Sequence, residues 1–102
     1  MRPDENDGSM ESRLARLRGI VQGVGFREAC VRQARALGIT GWVRNRSDGS
    51  VEVMVQGSPE QLAEMCAWLR NGVPSAVVDS LEVNSLRSPV DRLDQFERLP
   101  TV

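Results

Sequence analysis

The stretch that decides the fold is residues 14–37, which read LARLRGIVQGVGFREACVRQARAL. Apolar or small residues occupy every second position from Ala15 to Val21, and a period of two predicts a β-strand. Glycines at positions 23 and 25 interrupt the alternation and allow a tight turn. The first element is therefore predicted to be a strand that ends in a glycine-rich loop.

A helix is predicted to follow that loop almost at once. Apolar side chains recur on one helical stripe, and Gly38 is a plausible C-terminal stop. The stripe consists of Phe26, Cys30, Ala34 and Leu37. The opening of the chain is thus strand, loop and amphipathic helix.

A β-hairpin is predicted downstream of the helix. Two β-rich runs, residues 41–45 and 50–56, flank the pair Asp48-Gly49, which is a strong hairpin signal because glycine tolerates positive φ. Val51, Val53 and Val55 are expected to share one face of the second run.

The remaining pattern predicts a second helix and two further strands. Ser58 is a suitable N-cap, with Pro59 in the first turn and Gln61 three residues after the cap. Asn71-Gly72 is expected to close this helix. A polar segment, residues 85–94, separates a strand around residues 77–83 from a short last strand at residues 96–99. The apolar stripe of the second helix comprises Leu62, Met65, Cys66 and Leu69.

The element order, βα–ββ–αβ, contains two successive βαβ halves. A right-handed crossover in each half places both helices on one face of a mainly antiparallel sheet. The predicted fold class is therefore α+β, a ferredoxin-like βαββαβ sandwich. That architecture hosts many unrelated activities, so function has to be argued from the site.

Composition excludes several classes of protein. The chain has 102 residues, which indicates one domain, and 13 Lys and Arg balance 14 Asp and Glu to a net charge of -1. Nucleic-acid-coating and membrane-surface proteins usually carry a basic excess, so neither a nucleic acid nor a membrane is an expected partner. Cys30 and Cys66 cannot form a CxxC pair, which argues against a soft-metal carrier.

The absence of histidine restricts the chemistry further. With no histidine in the chain, Ser-His-Asp triads, Cys-His pairs and His-containing metal sites are excluded. An enzyme of this composition must rely on positioning and electrostatics, or on a carboxylate base.

The N-terminal segment differs in character from the rest. Residues 1–12 are polar and acidic and are expected to form a disordered tail, leaving one domain over residues 13–102. They lack the basic and then apolar plan of a signal peptide, so the expected location is the cytoplasm. Cys30 and Cys66 are accordingly expected to be free, small buried thiols.

Two segments are candidates for a functional site. In residues 19–27, successive backbone N–H groups of the loop and the helix N-terminus would converge on one anion, and Arg27 would reach two phosphate oxygens. In the second segment, Asn45 ends a strand just before the hairpin turn, and its amide both accepts from and donates to water. Taken singly, each segment also has a purely structural interpretation. The first could merely form a strand-to-helix turn, and Asn45 could merely shape the hairpin turn.

Several neighbours of these segments are assigned structural roles. Arg44 and Arg46 flank Asn45 and are expected to be solvated, with a raised positive potential at the site as the alternative. Asp48 is expected to serve the turn, and Glu28 the N-terminal charge of the first helix. Both tryptophans are expected to be packing residues.

Together, the two segments resemble the acylphosphatase family, whose pattern reads G-x-V-Q-G-V-x-F-R and then L-G-x-x-G-x-V-x-N-x-x-D-G-x-V-E. Residues 19–27 read GIVQGVGFR, and residues 37–52 read LGITGWVRNRSDGSVE. The likeness extends from about Leu14 to Leu99, and the family's fold is the ferredoxin-like arrangement that the periodicity predicts.

The resemblance implies hydrolysis of the carboxyl–phosphate anhydride of small acyl phosphates to a carboxylate and inorganic phosphate, without a metal or a cofactor. It implies that Arg27 and the loop from Gln22 through Gly23, Val24 and Gly25 to Phe26 bind the phosphoryl group. It further implies that Asn45 positions the attacking water, and that Arg27 and Asn45 are the catalytic residues. A free-standing monomer acting on a small molecule is the expected form.

Two alternatives remain at this point. One is a non-catalytic domain that binds anions or carbamoyl phosphate and regulates a larger protein. The other is an RNA-binding module of the same architecture, which would stack bases on sheet aromatics. Aromatic residues make up 4% of the chain and tyrosine is absent, which argues against the second.

Overall fold

A computed structural model describes residues 10–86 and 91–102. The described residues form the predicted elements in the predicted order, and the ferredoxin-like α+β fold is confirmed. The elements are β1 (Glu11–Ile20), α1 (Phe26–Leu37), β2 (Thr40–Asn45), β3 (Val51–Gly57), α2 (Pro59–Asn71), β4 (Val77–Ser85) and β5 (Phe96–Arg98).

The five strands form one sheet in the order β4-β1-β3-β2-β5. The pairs β1–β3, β1–β4 and β2–β3 are antiparallel, and β5 alone runs parallel to its neighbour, β2. The register of this last pair joins Gly41 to Phe96 and Val43 to Arg98. The short last strand is thereby placed beside the strand that ends at Asn45.

The core lies between the two helices and one face of the sheet. Val51, Val53 and Val55 are fully buried there, as their alternation predicts. The helical stripes contribute Phe26, Cys30, Ala34, Leu62, Met65 and Leu69. Cys66, predicted to be buried on the second stripe, is only half-buried, and both cysteines are free thiols.

Both helix starts follow from local sequence. Ser58 and Gln61 form a capping box, in which the Gln61 N–H donates to Ser58 Oγ at 3.2 Å and the Ser58 N–H donates to Gln61 Oε1 at 2.8 Å. Helix α1 has no side-chain cap: its N-cap is Gly25, in the left-handed conformation. The start of α1 therefore leaves its first N–H groups open.

The N-terminal boundary differs from the prediction. Strand β1 begins at Glu11, and Glu11 and Ser12 pair with Gly57 and Gln56, so two residues assigned to the tail belong to the sheet. Residues 1–9 of the predicted tail and residues 87–90 of the polar segment lie outside the described residues. Within the described ranges, neither helix is long and apolar enough to cross a lipid bilayer.

Candidate active site

The loop between β1 and α1 is held in a conformation that glycine favours. Gly23 has φ 74° and Gly25 has φ 77° and ψ 19°, both left-handed. A Cβ at either position would meet nothing within 4 Å, so the requirement for glycine is set by the backbone angle rather than by space. The two left-handed residues curl the chain into a concave turn that leads into the helix.

The backbone N–H groups of this turn are free. From Gln22 to Glu28, none of them donates to an acceptor among the described residues. The first N–H groups of a helix lack intrahelical partners and carry the positive end of the helix dipole. The turn can therefore hold a single anion, and we call it the anion cradle (residues 22–28).

The anion cradle opens into a small cavity of about 110 Å³. This volume is below the range of about 300–1,000 Å³ that is usual for pockets that enclose whole ligands. Arg27 and Asn45 both line it, so the structure brings together the two side chains that the sequence places 18 positions apart.

Arg27 is the second residue of α1 and is half-buried at the cavity wall. Its Nη1 donates to the backbone oxygen of Leu99 at 3.5 Å, a long contact, and it forms no ion pair with a described residue. Most of the guanidinium donors are therefore available to a ligand in the cavity.

Asn45 is the last residue of β2, and its backbone oxygen accepts from the N–H of Val102 at 3.1 Å. Its side-chain Oδ1 is buried and has no hydrogen-bond partner among the described residues. Buried polar atoms in folded proteins are nearly always paired, so an unpaired acceptor in a cavity wall indicates a missing donor from a ligand or water.

The side chain of Gln22 connects the two parts of the site. Its Nε2 donates to the backbone oxygens of Arg46 and Ser50, each at 2.8 Å. These bonds fasten the anion cradle to the hairpin that carries Asn45. From the sequence, only the backbone N–H of Gln22 is expected to take part in the site. Nothing in the local sequence indicates which distant carbonyl a glutamine side chain will reach.

A second arginine at the cavity was not predicted. Arg98, in β5, lines the cavity and pairs with Glu28 at 3.0 Å. Glu28 was expected to serve only the helix N-terminus, and its charge is here balanced by Arg98. Arg98 lies 71 positions from Arg27, and only the parallel pairing of β5 with β2 brings it to the cavity.

The expectation that Arg44 and Arg46 are solvated is wrong. Both donate to Glu52 Oε1, at 2.9 and 3.1 Å, and Arg16 donates to Glu52 Oε2 at 2.7 Å. Burial acts to raise the pKa of Glu52, but the three arginine hydrogen bonds outweigh it and lower the pKa to about 2. Glu52 and these three arginines, which we call the Glu52 cluster, hold in place the residues on either side of Asn45.

This cluster predicts a pH-dependent contribution to stability. Because the folded-state pKa of about 2 lies below the ordinary value of 4.5, the contribution is present above pH 4.5 and is lost as the pH falls toward 2. We expect Glu52→Gln to lower the free energy of unfolding at pH 7 by about 2 kcal/mol. Urea denaturation at pH 7 and at pH 3 measures the effect, and the difference from wild type should shrink at pH 3.

The matched control is Glu82→Gln, because Glu82 is exposed on β4 opposite Arg16 and should change stability little. A Glu52→Gln variant as stable as wild type at pH 7, or a difference that does not change with pH, would contradict the assigned role of the cluster.

Other predicted roles agree with the structure. Asp48 Oδ1 accepts from the N–H of Ser50 at 2.9 Å and from its hydroxyl, as a turn residue does.

The two tryptophans have different neighbours. Trp68 packs against Phe26 with ring centroids 6.2 Å apart, whereas the guanidinium of Arg44 stacks over the ring of Trp42 at 4.7 Å from its centroid. Burial raises the pKa of the Cys30 thiol, which keeps it protonated.

The chain is similar to known proteins over most of its length. The sequence model of the acylphosphatase family matches residues 14–98. The chain is 60% identical to acylphosphatase 1 of Ralstonia nicotianae over 92% of each chain, and 57% identical to an acylphosphatase of Polaromonas naphthalenivorans over 96% of this chain and 97% of that one. A solved acylphosphatase of Coxiella burnetii superposes with a TM-score of 0.86 at 29% identity, covering 93% of this chain and 98% of that one.

The fold and the cavity define the class as a ferredoxin-like α+β protein with an anion cradle between its first strand and first helix. Within that class the chain belongs to the acylphosphatase family, and it is an enzyme.

Proposed function

We propose that the protein hydrolyses small acyl phosphates to a carboxylate and inorganic phosphate. The observation that carries the proposal is the unpaired, buried Oδ1 of Asn45, which shares a cavity with Arg27 and the free N–H groups of the anion cradle. This arrangement offers donors to an anion and one acceptor to a water molecule.

The phosphoryl group is bound by the anion cradle. The N–H groups from Gln22 through Gly23, Val24 and Gly25 to Phe26 donate to its oxygens, while Arg27 forks onto two of them. Charge that develops on these oxygens as the phosphoryl group is transferred is stabilised by donors already in place. Gln22 holds the cradle in place against the hairpin through its hydrogen bonds to the backbone oxygens of Arg46 and Ser50.

Asn45 orients the nucleophile. Its Oδ1 accepts a hydrogen bond from a water molecule and directs the water oxygen toward phosphorus. The Glu52 cluster supports this function indirectly, since Arg44 and Arg46 are held on both sides of Asn45.

The reaction balances without a protein base. The water oxygen forms a bond to phosphorus, the bond between phosphorus and the acyl oxygen breaks, and the carboxylate leaves with the electron pair. The water proton passes to a phosphate oxygen of the substrate. Because a carboxylate is a good leaving group, positioning and charge stabilisation suffice, which suits a chain without histidine.

All parts of the cavity come from one chain: the anion cradle, the end of β2 and the strand β5. We therefore propose that the enzyme acts on its small-molecule substrate as a monomer. The cradle contacts only the phosphoryl group, so several acyl groups should be accepted there.

The direct test is hydrolysis of benzoyl phosphate by the full chain. We expect turnover that is unaffected by EDTA and is competitively inhibited by inorganic phosphate, because product and substrate share the cradle. Loss of the acyl phosphate absorbance measures the rate. A chain that binds phosphate but does not turn over benzoyl phosphate would contradict the proposal and favour the alternative, a domain that binds anions or carbamoyl phosphate for regulation.

A further inference from the structure

A second and larger cavity adjoins the anion cradle. It is a groove of about 690 Å³ between α1 and the segment that follows α2, and it shares Gly25 and Glu28 with the smaller cavity. Its volume falls within the range of about 300–1,000 Å³ for small-molecule sites. We call it the helix groove and define it by Val24, Ala29, Arg32, Trp68, Val73 and Ser75.

The wall of the helix groove is fixed by packing and by one hydrogen bond. Trp68 packs on Phe26, the first residue of α1, and a Cβ at Gly72 would overlap its indole ring. Ser75 Oγ donates to the backbone oxygen of Val24 at 2.9 Å, which joins this wall to the loop that forms the anion cradle. The groove is therefore built onto the cradle rather than formed by an unrelated surface depression.

The helix groove has two charged side chains of opposite sign, Glu28 near the anion cradle and Arg32 further along α1. At the cradle end, Glu28 is balanced by Arg98 at 3.0 Å. One turn further along α1, Arg32 is exposed in the groove and forms no ion pair with a described residue. Arg32 follows Gly25 by seven residues, a rise of about 10 Å along the helix.

We propose that the helix groove binds the acyl part of the substrate and that Arg32 selects acyl groups with a second anion at their far end. The inference rests on the proposed function, because the phosphoryl group has to occupy the anion cradle. Trp68 and the apolar side chains contact the body of the acyl group. The rise of about 10 Å along the helix from Gly25 to Arg32 suits a rigid acyl phosphate such as 4-carboxybenzoyl phosphate.

The test compares two acyl groups of equal shape and different charge. The substrates are 4-carboxybenzoyl phosphate and 4-carbamoylbenzoyl phosphate, whose far end is uncharged, and the variant is Arg32→Gln. We expect wild type to have the lower KM for the carboxylate, and Arg32→Gln to raise that KM about tenfold while kcat and both constants for the carbamoyl compound stay unchanged. Arg70→Gln, which removes an exposed charge of α2 outside the groove, should leave all constants unchanged.

A binding measurement separates this inference from the proposed function. The matching acylphosphonates, which cannot be hydrolysed at the bridging position, are titrated into wild type and Arg32→Gln by calorimetry. A tenfold preference of wild type for the 4-carboxy compound that is lost in Arg32→Gln supports the subsite, whether or not the chain turns over benzoyl phosphate. Equal affinity of wild type for both compounds, or equal effects of Arg32→Gln on both, would overturn it.

Discussion

Replacement of Asn45 by alanine should lower kcat for benzoyl phosphate by about 100- to 1000-fold and leave the affinity for inorganic phosphate nearly unchanged. The large effect is expected because the water loses the acceptor that directs it. Poor orientation of a reacting group, or the loss of a group that stabilises the transition state, lowers reaction rates by factors of this size. The small effect on phosphate follows from the site itself, in which Arg27 and the free N–H groups of the cradle supply the donors to an anion. Initial rates and phosphate inhibition constants measure both effects.

The variant should fold, because Asn45 Oδ1 has no partner among the described residues and its loss breaks no bond there. Its backbone contacts, including the bond from Val102 at 3.1 Å, are kept by alanine. Asn84→Ala on the exposed part of β4 is the matched control and should keep full activity. Wild-type turnover by Asn45→Ala would exclude the positioning of water by this residue.

Replacement of Arg27 by alanine should weaken phosphate binding by about 100-fold. A forked, charge-assisted pair of hydrogen bonds is among the strongest single contacts to a phosphoryl group. Arg27→Lys should recover only part of the affinity, because an ammonium group cannot bind two oxygens in the same planar geometry. Titration calorimetry with inorganic phosphate measures the affinities, and the KM for benzoyl phosphate should rise in the same order.

Arg70→Ala is the control for charge, since Arg70 is exposed in the last turn of α2 and lies outside the cavity. The contact from Arg27 to Leu99 is long, at 3.5 Å, so the loss of Arg27 should not unfold the chain. Thermal denaturation of both variants checks this. If Arg27→Ala binds phosphate as tightly as wild type, the anion is held elsewhere and the assignment fails.

Local signals in the sequence were sufficient for most of the fold. The alternation in β1 and β3, the stripe of α1 and the capping box at Ser58 each depend on residues within a few positions of one another. The pairing of β5 was not predictable in this way, because three residues carry too little pattern to choose a neighbour. The strand start at Glu11 was missed because a polar strand end resembles a polar tail.

The candidate site likewise has some features that local sequence predicts and others that it does not. The glycines of the cradle and the position of Arg27 at a helix start can be read from adjacent residues. The roles of Gln22, Arg98 and Glu52 depend on which distant groups the folded chain brings near them. Glu52 shows the difference most clearly: it ends a recognised motif, yet only the sheet register reveals that it pairs with arginines from two neighbouring strands.

We propose that the anion cradle with Arg27 binds the phosphoryl group, whereas Asn45 acts only on the water molecule. The most direct test is calorimetric titration of inorganic phosphate into Asn45→Ala, beside wild type and Arg27→Ala. We expect Asn45→Ala to bind phosphate within about threefold of wild type, since the substitution removes no donor that the anion requires. A loss of phosphate binding in Asn45→Ala as large as that in Arg27→Ala would contradict this proposal.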